Sequence, residues 1–253
     1  MEENNKREGK RPVTNSIPSL HTMAVSVTQP RSPGHSMQAF LAIPAVSGPF
    51  PGVVIIHEIF GLNDNIRDIA KRFASNGYAA LAVDLFSSAN RAICMARIFH
   101  GLLIRPLKNG IVADLQAALD YMGALPDLDR SRLGAIGFCM GGSYALQLAC
   151  TVDGLRAASV FYGQNPRPLE AVSRACPIVG NYPERDFTAN AARHLEPMLE
   201  QYHVPHDIKI YAGARHSFFN DQKSSYQAEA AADAWARTLA FFDTYLRNPE
   251  TST

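Results

Sequence analysis

The stretch Arg132 to Cys150, RLGAIGFCMGGSYALQLAC, decides how the rest of the chain reads. Up to Phe138 it is an apolar run of strand type, and from Met140 onward it continues as an apolar helix. Where the two meet, Gly137-Phe138-Cys139-Met140-Gly141 has the G-x-S-x-G form of a nucleophile elbow, with cysteine in the serine position. Such a turn is tight, so the residues two places either side of its apex must be small, as Gly137 and Gly141 are. A sulfur at the apex projects above the sheet at a helix amino terminus, where unpaired N–H groups and the helix dipole favour a thiolate. The competing role is a buried structural cysteine, since free Cys is among the most buried residue types. The place between strand and helix favours the nucleophile, with the N–H of Met140 facing the oxyanion that attack would create.

Working outward, the same alternation repeats. MAVSVTQP and MQAFLAIP read as two short strands joined by the turn RSPGHS, and PGVVIIHE as a strand buried on both faces. Asn63 to Asn76 places Ile66, Ile69, Ala70 and Phe73 on one helical face, and Gly77 closes it. YAALAVDLF, LRAASVFYG, CPIVGNY and HDIKIYAG read as strands; Gly110 to Gly123, Thr188 to Tyr202 and Ser225 to Leu246 read as helices. Two opening strands followed by βα units predict an α/β fold. Its sheet has about eight strands, antiparallel at the start and otherwise mostly parallel, with helices on both faces. With no repeat or linker in view, residues 21–253 are expected to be a single domain, preceded by a disordered tail over 1–20. Ser87 to Lys108, carrying Arg91, Arg97, His100 and Arg105, fits this scheme least and is expected to be a helical excursion near the mouth of a site.

Composition narrows the classes of function. Of the 253 residues, 47% are hydrophobic and 19% charged, and the formal net charge is +1, so no field of one sign points to nucleic acid or an anionic membrane. No run approaches the roughly 18 apolar residues of a membrane span, and the opening MEENNKREGKRP lacks the apolar core of a signal peptide. Cys94, Cys139, Cys150 and Cys176 show no metal-binding spacing. Scattered thiols without an export signal predict a cytoplasmic location, with no metal and no cofactor.

A thiolate needs a base, and His216, in the loop after the last strand, follows the expected chain order of nucleophile, acid, histidine. Between them, Asp186 occupies a loop after a strand and before a helix, where an orienting carboxylate belongs. Glu184 is its rival, and helix capping is its competing role. The VVII strand leads into His57-Glu58-Ile59, where the N–H of Ile59 is placed to be the second oxyanion donor. Glu58 is either a second proton acceptor near the thiol or the partner of an arginine such as Arg67 or Arg91.

HEIFGLN, the Asp-Leu of AVDLF, GFCMGG, the RD of NYPERDF and GARHSFFND, in this order between Pro51 and Asp221, resemble the dienelactone hydrolase (carboxymethylenebutenolidase) family. The resemblance implies the α/β-hydrolase fold and a carboxylic ester hydrolase. It also implies Cys139, Asp186 and His216 as a triad, Glu58 helping to ionise the thiol when substrate binds, and Ile59 and Met140 as oxyanion donors. Family members acting on carboxylated dienelactones carry an arginine a few residues after the histidine, where this chain reads Ser217-Phe218-Phe219-Asn220. Arg91, Arg97 or Arg105 are candidates to bind a substrate carboxylate instead, and Phe218 and Asn220 are further candidates for substrate contact; otherwise the substrate is a more apolar ester. The expected activity is thioester-forming hydrolysis of an activated ester or enol lactone by a monomer or small homo-oligomer. The alternatives are a general carboxylesterase of another substrate class and a redox-sensing thiol on the same fold.

Overall fold

The most apolar runs of the chain lie at the centre of the sheet. Val53 to Ile56 and Ala79 to Val83 are fully buried, because each strand is covered on both faces. The computed structural model describes residues 19–30 and 36–248. The expected tail over 1–20 therefore lies outside the described residues except for Ser19 and Leu20, as does most of the RSPGHS turn. Eight strands form one sheet: β1 (Leu20–Thr28), β2 (Ser36–Pro44), β3 (Phe50–Ile56), β4 (Ala79–Val83), β5 (Leu128–Phe138), β6 (Leu155–Phe161), β7 (Ile178–Arg185) and β8 (His206–Arg215). Their spatial order is β1-β2-β4-β3-β5-β6-β7-β8. β2 is antiparallel to both β1 and β4, and every other pairing is parallel.

The period of two along the central strands sorts the core. Val54 and Ile56 face one side, with residues of α2 (Arg91–Leu103), α3 (Gly110–Gly123) and α4 (Met140–Thr151). Val53 and Ile55 face the other, with α1 (Asp64–Ser75) and α6 (Ala228–Phe242). α5 (Thr188–Gln201) shares a third cluster with α4, β6 and β7. The Ser87 to Lys108 excursion is helical over α2, as its pattern suggested.

Helix starts follow their caps. Asn63 accepts from the Ile66 N–H at 3.1 Å, and Asn109 accepts from those of Ile111 and Val112 at 3.0 and 3.1 Å. α6 begins three residues later than its apolar pattern suggests, at Ala228. The N–H groups of Tyr226 and Gln227 are drawn instead to the carbonyls of Lys223 and Phe218. A 3-10 turn at Leu169–Arg174, too short to show periodicity, was not anticipated.

Candidate active site

Parallel strands deliver their carboxyl ends to one edge of a sheet, and side chains for chemistry collect there. Here Cys139, Tyr162, Asp186 and His216 each come directly after β5, β6, β7 and β8, and Glu58 lies two residues beyond β3.

Cys139 has φ of +56°, in the left-handed region that side chains rarely adopt, and its C=O already accepts from Ser143 N–H within α4. The turn admits no side chain at its flanks. A Cβ on Gly137 would come within 1.9 Å of the Gly141 carbonyl oxygen, and one on Gly141 within 2.3 Å of the Ile56 oxygen of β3. All four cysteines are free, and Cys139 is partly exposed at the start of α4. Burial pushes the Cys150 thiol up to about 12 and also raises that of Cys176.

His216 Nδ1 lies 2.8 Å from Asp186 Oδ2. Nε2 is then the ring nitrogen left on the side of Cys139, whose sulfur lines the same cavity and acts on the imidazole electrostatically. Burial pulls the imidazole pKa down. The carboxylate and the sulfur outweigh it, and the pKa is pushed up to about 10. Burial likewise opposes ionisation of Asp186, but bonds from His216, Thr188 and the Phe187 N–H hold it below the usual carboxylate range. Asp186 thus holds the imidazole and, through the Phe187 N–H and the Thr188 hydroxyl, the chain just before and at the start of α5. Its rival Glu184 is spent on the Gly213 N–H of β8, at 2.8 Å.

Glu58 is buried and meets no arginine among the described residues. Ser217 Oγ donates to it at 2.6 Å and Asn220 Nδ2 at 3.1 Å, and its carboxylate acts electrostatically on the Tyr162 phenol. Tyr162 and Ser217 both have positive φ, +42° and +61°, so backbone strain gathers around this carboxyl group as it does at Cys139. Burial, then the charge of Glu58, holds the Tyr162 phenol far above its ordinary pKa, so it remains a donor. Its ring packs 4.9 Å from that of His216.

The loop carrying Ile59 is braced from three sides. His57 Nδ1 bonds the Glu58 carbonyl at 2.6 Å while its Nε2 accepts from Leu85 N–H at 3.0 Å. Gly61 N–H donates to the same Glu58 carbonyl at 3.1 Å, and Arg91 donates to the Ile59 carbonyl at 2.5 Å. Ile59 and Met140 both line the cavity over Cys139.

That cavity holds about 320 Å³ and is walled by Phe99, Leu102 and Leu103 of α2, with Tyr162, Phe187 and His216. Arg91 is engaged with Ile59, Arg97 lines a separate cleft with His100, and Arg105 lines a neighbouring groove. None of the three reaches the cavity itself. Phe218 is fully buried against Phe161, Tyr162 and Tyr211, and Asn220 is occupied with Glu58, so neither is presented to a substrate. The cationic side chain that does line the cavity is Arg167, joined by Gln147, Gln164 and Asn165. Sequence reasoning passed over these four. The available signal was a polar run, Gln164-Asn165, directly after an apolar strand at the sheet edge that carries the chemistry.

Among the described residues no cluster of His, Cys, Asp and Glu suits a metal ion, and no helix is long and apolar enough to cross a membrane. Residues 37–246 match the model of the dienelactone hydrolase family. A protein of Saccharolobus solfataricus provisionally named a carboxymethylenebutenolidase is 37% identical over 246 residues, spanning 83% of this chain and 95% of its own. A Synechocystis protein with the same provisional name is 33% identical over 247 residues, spanning 89% of this chain and 100% of its own. The solved structure of a dienelactone hydrolase-like promiscuous phosphotriesterase from metagenomic libraries superposes with a TM-score of 0.79 at 28% identity, covering 89% of this chain and 98% of that one. The chain therefore belongs to the dienelactone hydrolase family and is a carboxylic ester hydrolase built on the α/β-hydrolase fold.

Proposed function

We propose that this enzyme cleaves an activated carboxylic ester or enol lactone through a thioester on Cys139. The reading rests chiefly on a partly exposed sulfur at a strained elbow, sharing a cavity with an imidazole that Asp186 holds through Nδ1. Thiolate attack on the carbonyl carbon forms the C–S bond, and the N–H groups of Ile59 and Met140 receive the oxyanion. Collapse breaks the C–O bond, and the departing alkoxide or enolate takes a proton from the His216 imidazolium. Water then attacks the thioester, giving its proton to the now neutral imidazole, and the thiolate leaves as the acid forms.

Because a thiolate is itself a good leaving group, the first intermediate returns to substrate unless the oxygen departs easily. Enol and aryl oxygens do; plain alkoxides do not. The names of the relatives point the same way, to a lactone with an enol leaving group. The free thiols fit the reducing cytoplasm as the compartment.

Replacing Cys139 by Ala is expected to lower kcat/KM on p-nitrophenyl acetate by on the order of a thousandfold or more. The His216→Ala enzyme, mixed with the same ester, is expected to gain the mass of one acetyl group on Cys139. Undiminished hydrolysis by Cys139→Ala would falsify the mechanism. Turnover that ignores His216 while the thiol oxidises reversibly would favour a redox role.

A further inference from the structure

We propose that a basic groove beside the catalytic cavity binds the anionic, non-reacting end of the ester substrate, an assignment that rests on the thioester reading above. The groove holds about 730 Å³ and is lined by Arg105, Lys108, Arg167 and Arg174, with no Asp or Glu in its walls. None of the four is ion-paired among the described residues. The whole chain carries a net charge of only +1, so these cations are a local concentration and not a share of general basicity. From residue 85 to residue 113, the segment that builds one wall, the chain contains no acidic residue at all.

Groove and cavity adjoin. Arg167 lines both. Gln147, in the wall of the catalytic cavity, accepts through Oε1 from the Leu107 N–H at 3.3 Å and from Asn109 Nδ2 at 3.2 Å, two residues of the groove. α4 runs from the elbow at Cys139 to Thr151 in the groove wall, a span of about 18 Å at the helical rise. The groove is thus the basic surface that adjoins the catalytic cavity along α4, on the side where Arg167 stands between the two.

The wall is also held rigid. Leu107 has φ of +72°, a strained value for a residue with a branched side chain. Buried Asn109 donates to the carbonyls of Gly101 and Arg105 at 3.2 and 3.1 Å while it caps α3. A Cβ on Gly101 would come within 2.5 Å of the Tyr144 hydroxyl, so helix α2 is seated close against α4 at this point. Apart from His216, which the reaction engages, Arg167 is the one cationic side chain among the residues lining the catalytic cavity. Guanidinium forks suit clustered anionic oxygens, and four cations can neutralise more than one charge, which points to a phosphate or a polycarboxylate.

The test measures binding and turnover in the full chain, as wild type and as the Arg105→Gln/Arg174→Gln variant; both side chains are exposed, so the core is untouched. Calorimetric titration at low ionic strength uses inorganic pyrophosphate in one arm and citrate in the other. At least one anion is expected to bind about tenfold more weakly to the variant, and to lose affinity in wild type as salt rises. The arm with the tighter binding identifies phosphate or carboxylate as the natural group. In parallel, the ratio of kcat/KM for mono-p-nitrophenyl hexadecanedioate, long enough to span α4, to that for p-nitrophenyl palmitate is expected to fall severalfold in the variant. Failure of both anions to bind wild type, equal binding by the variant, or an unchanged ratio each overturns the proposal. Cys139→Ala separates the two readings: it is expected to keep anion binding while losing hydrolysis, and hydrolysis that survives it removes the thioester mechanism and leaves the binding result standing.

Discussion

The imidazole of His216 sits between a carboxylate and a sulfur, and its elevated pKa depends on both. Removing the sulfur's charge leaves desolvation pulling the pKa down and Asp186 alone holding it up. The His216 ring protons in Cys139→Ala are therefore expected to titrate at lower pH than in wild type, where imidazolium persists toward pH 10; NMR titration of the two proteins checks this. An acyl group on the sulfur removes the same charge, so the imidazole becomes a free base more readily in the thioester, the stage at which water must be activated. An equal titration in both proteins would mean that the sulfur does not act on the ring. Glu58 supplies a second residue-level test. In the resting state its carboxyl group is held by Ser217 and Asn220, tying the loops after β3 and β8 together. In Glu58→Gln one of the two acceptor oxygens becomes a donor, so Ser217 and Asn220 can no longer both donate to this side chain, and urea unfolding is expected to show a loss of about 1–3 kcal/mol. Adding Asn220→Asp restores an acceptor and should recover part of that loss; no recovery would put the cost elsewhere.

At the scale of elements, the β5–α4 elbow tolerates least. Gly137→Ala drives a methyl into backbone that cannot swing aside, and is expected to cost about 3 kcal/mol or more. Gly123→Ala, at the end of α3, meets Arg130 Cβ at 3.3 Å and Leu133 Cδ1 at 3.6 Å, with no contact under 3 Å, and is expected to lie within about 1 kcal/mol of wild type. Urea midpoints for the pair measure the contrast, and similar midpoints would show that the elbow relaxes. This element was also the most legible, because glycine spacing and the change from strand to helix are local properties. Asn63 and Asn109 announced α1 and α3 for the same reason. What stayed hidden depended on distant partners. The start of α6 is decided by the Phe218 carbonyl, Phe218 itself is turned into the core by the aromatic rings around it, and Asn220 is claimed by Glu58 from far along the chain. The arginines of α2 were visible as charges, but which cavity each one faces follows from the angle at which α2 packs.

At the scale of the molecule, the site is assembled from the ends of five strands lying side by side, so no half of the sheet can hold it alone. The last helix returns to the earlier part of the chain and fastens it. The Tyr78 hydroxyl donates to Asp243 at 2.6 Å, Arg247 donates to the Asn76 carbonyl, and Ser159 of β6 meets Thr238 of α6 at 3.1 Å. Burial opposes ionisation of the Tyr78 phenol first, and its bond to Asp243 adds to that, so this tie persists through the alkaline range. Chains beyond about 150 residues often unfold through intermediates. Here the continuous sheet and these ties favour one cooperative domain over the described residues. The single tryptophan, Trp235, is well placed to report it: it packs 4.7 Å from the Phe73 ring and 6.2 Å from Phe219, bridging α6, α1 and the loop after His216. In urea, Trp235 fluorescence, far-ultraviolet circular dichroism and esterase activity are expected to be lost at one shared midpoint. Activity that vanished well before the other two signals would instead mark the strand ends as a unit that opens separately from the sheet.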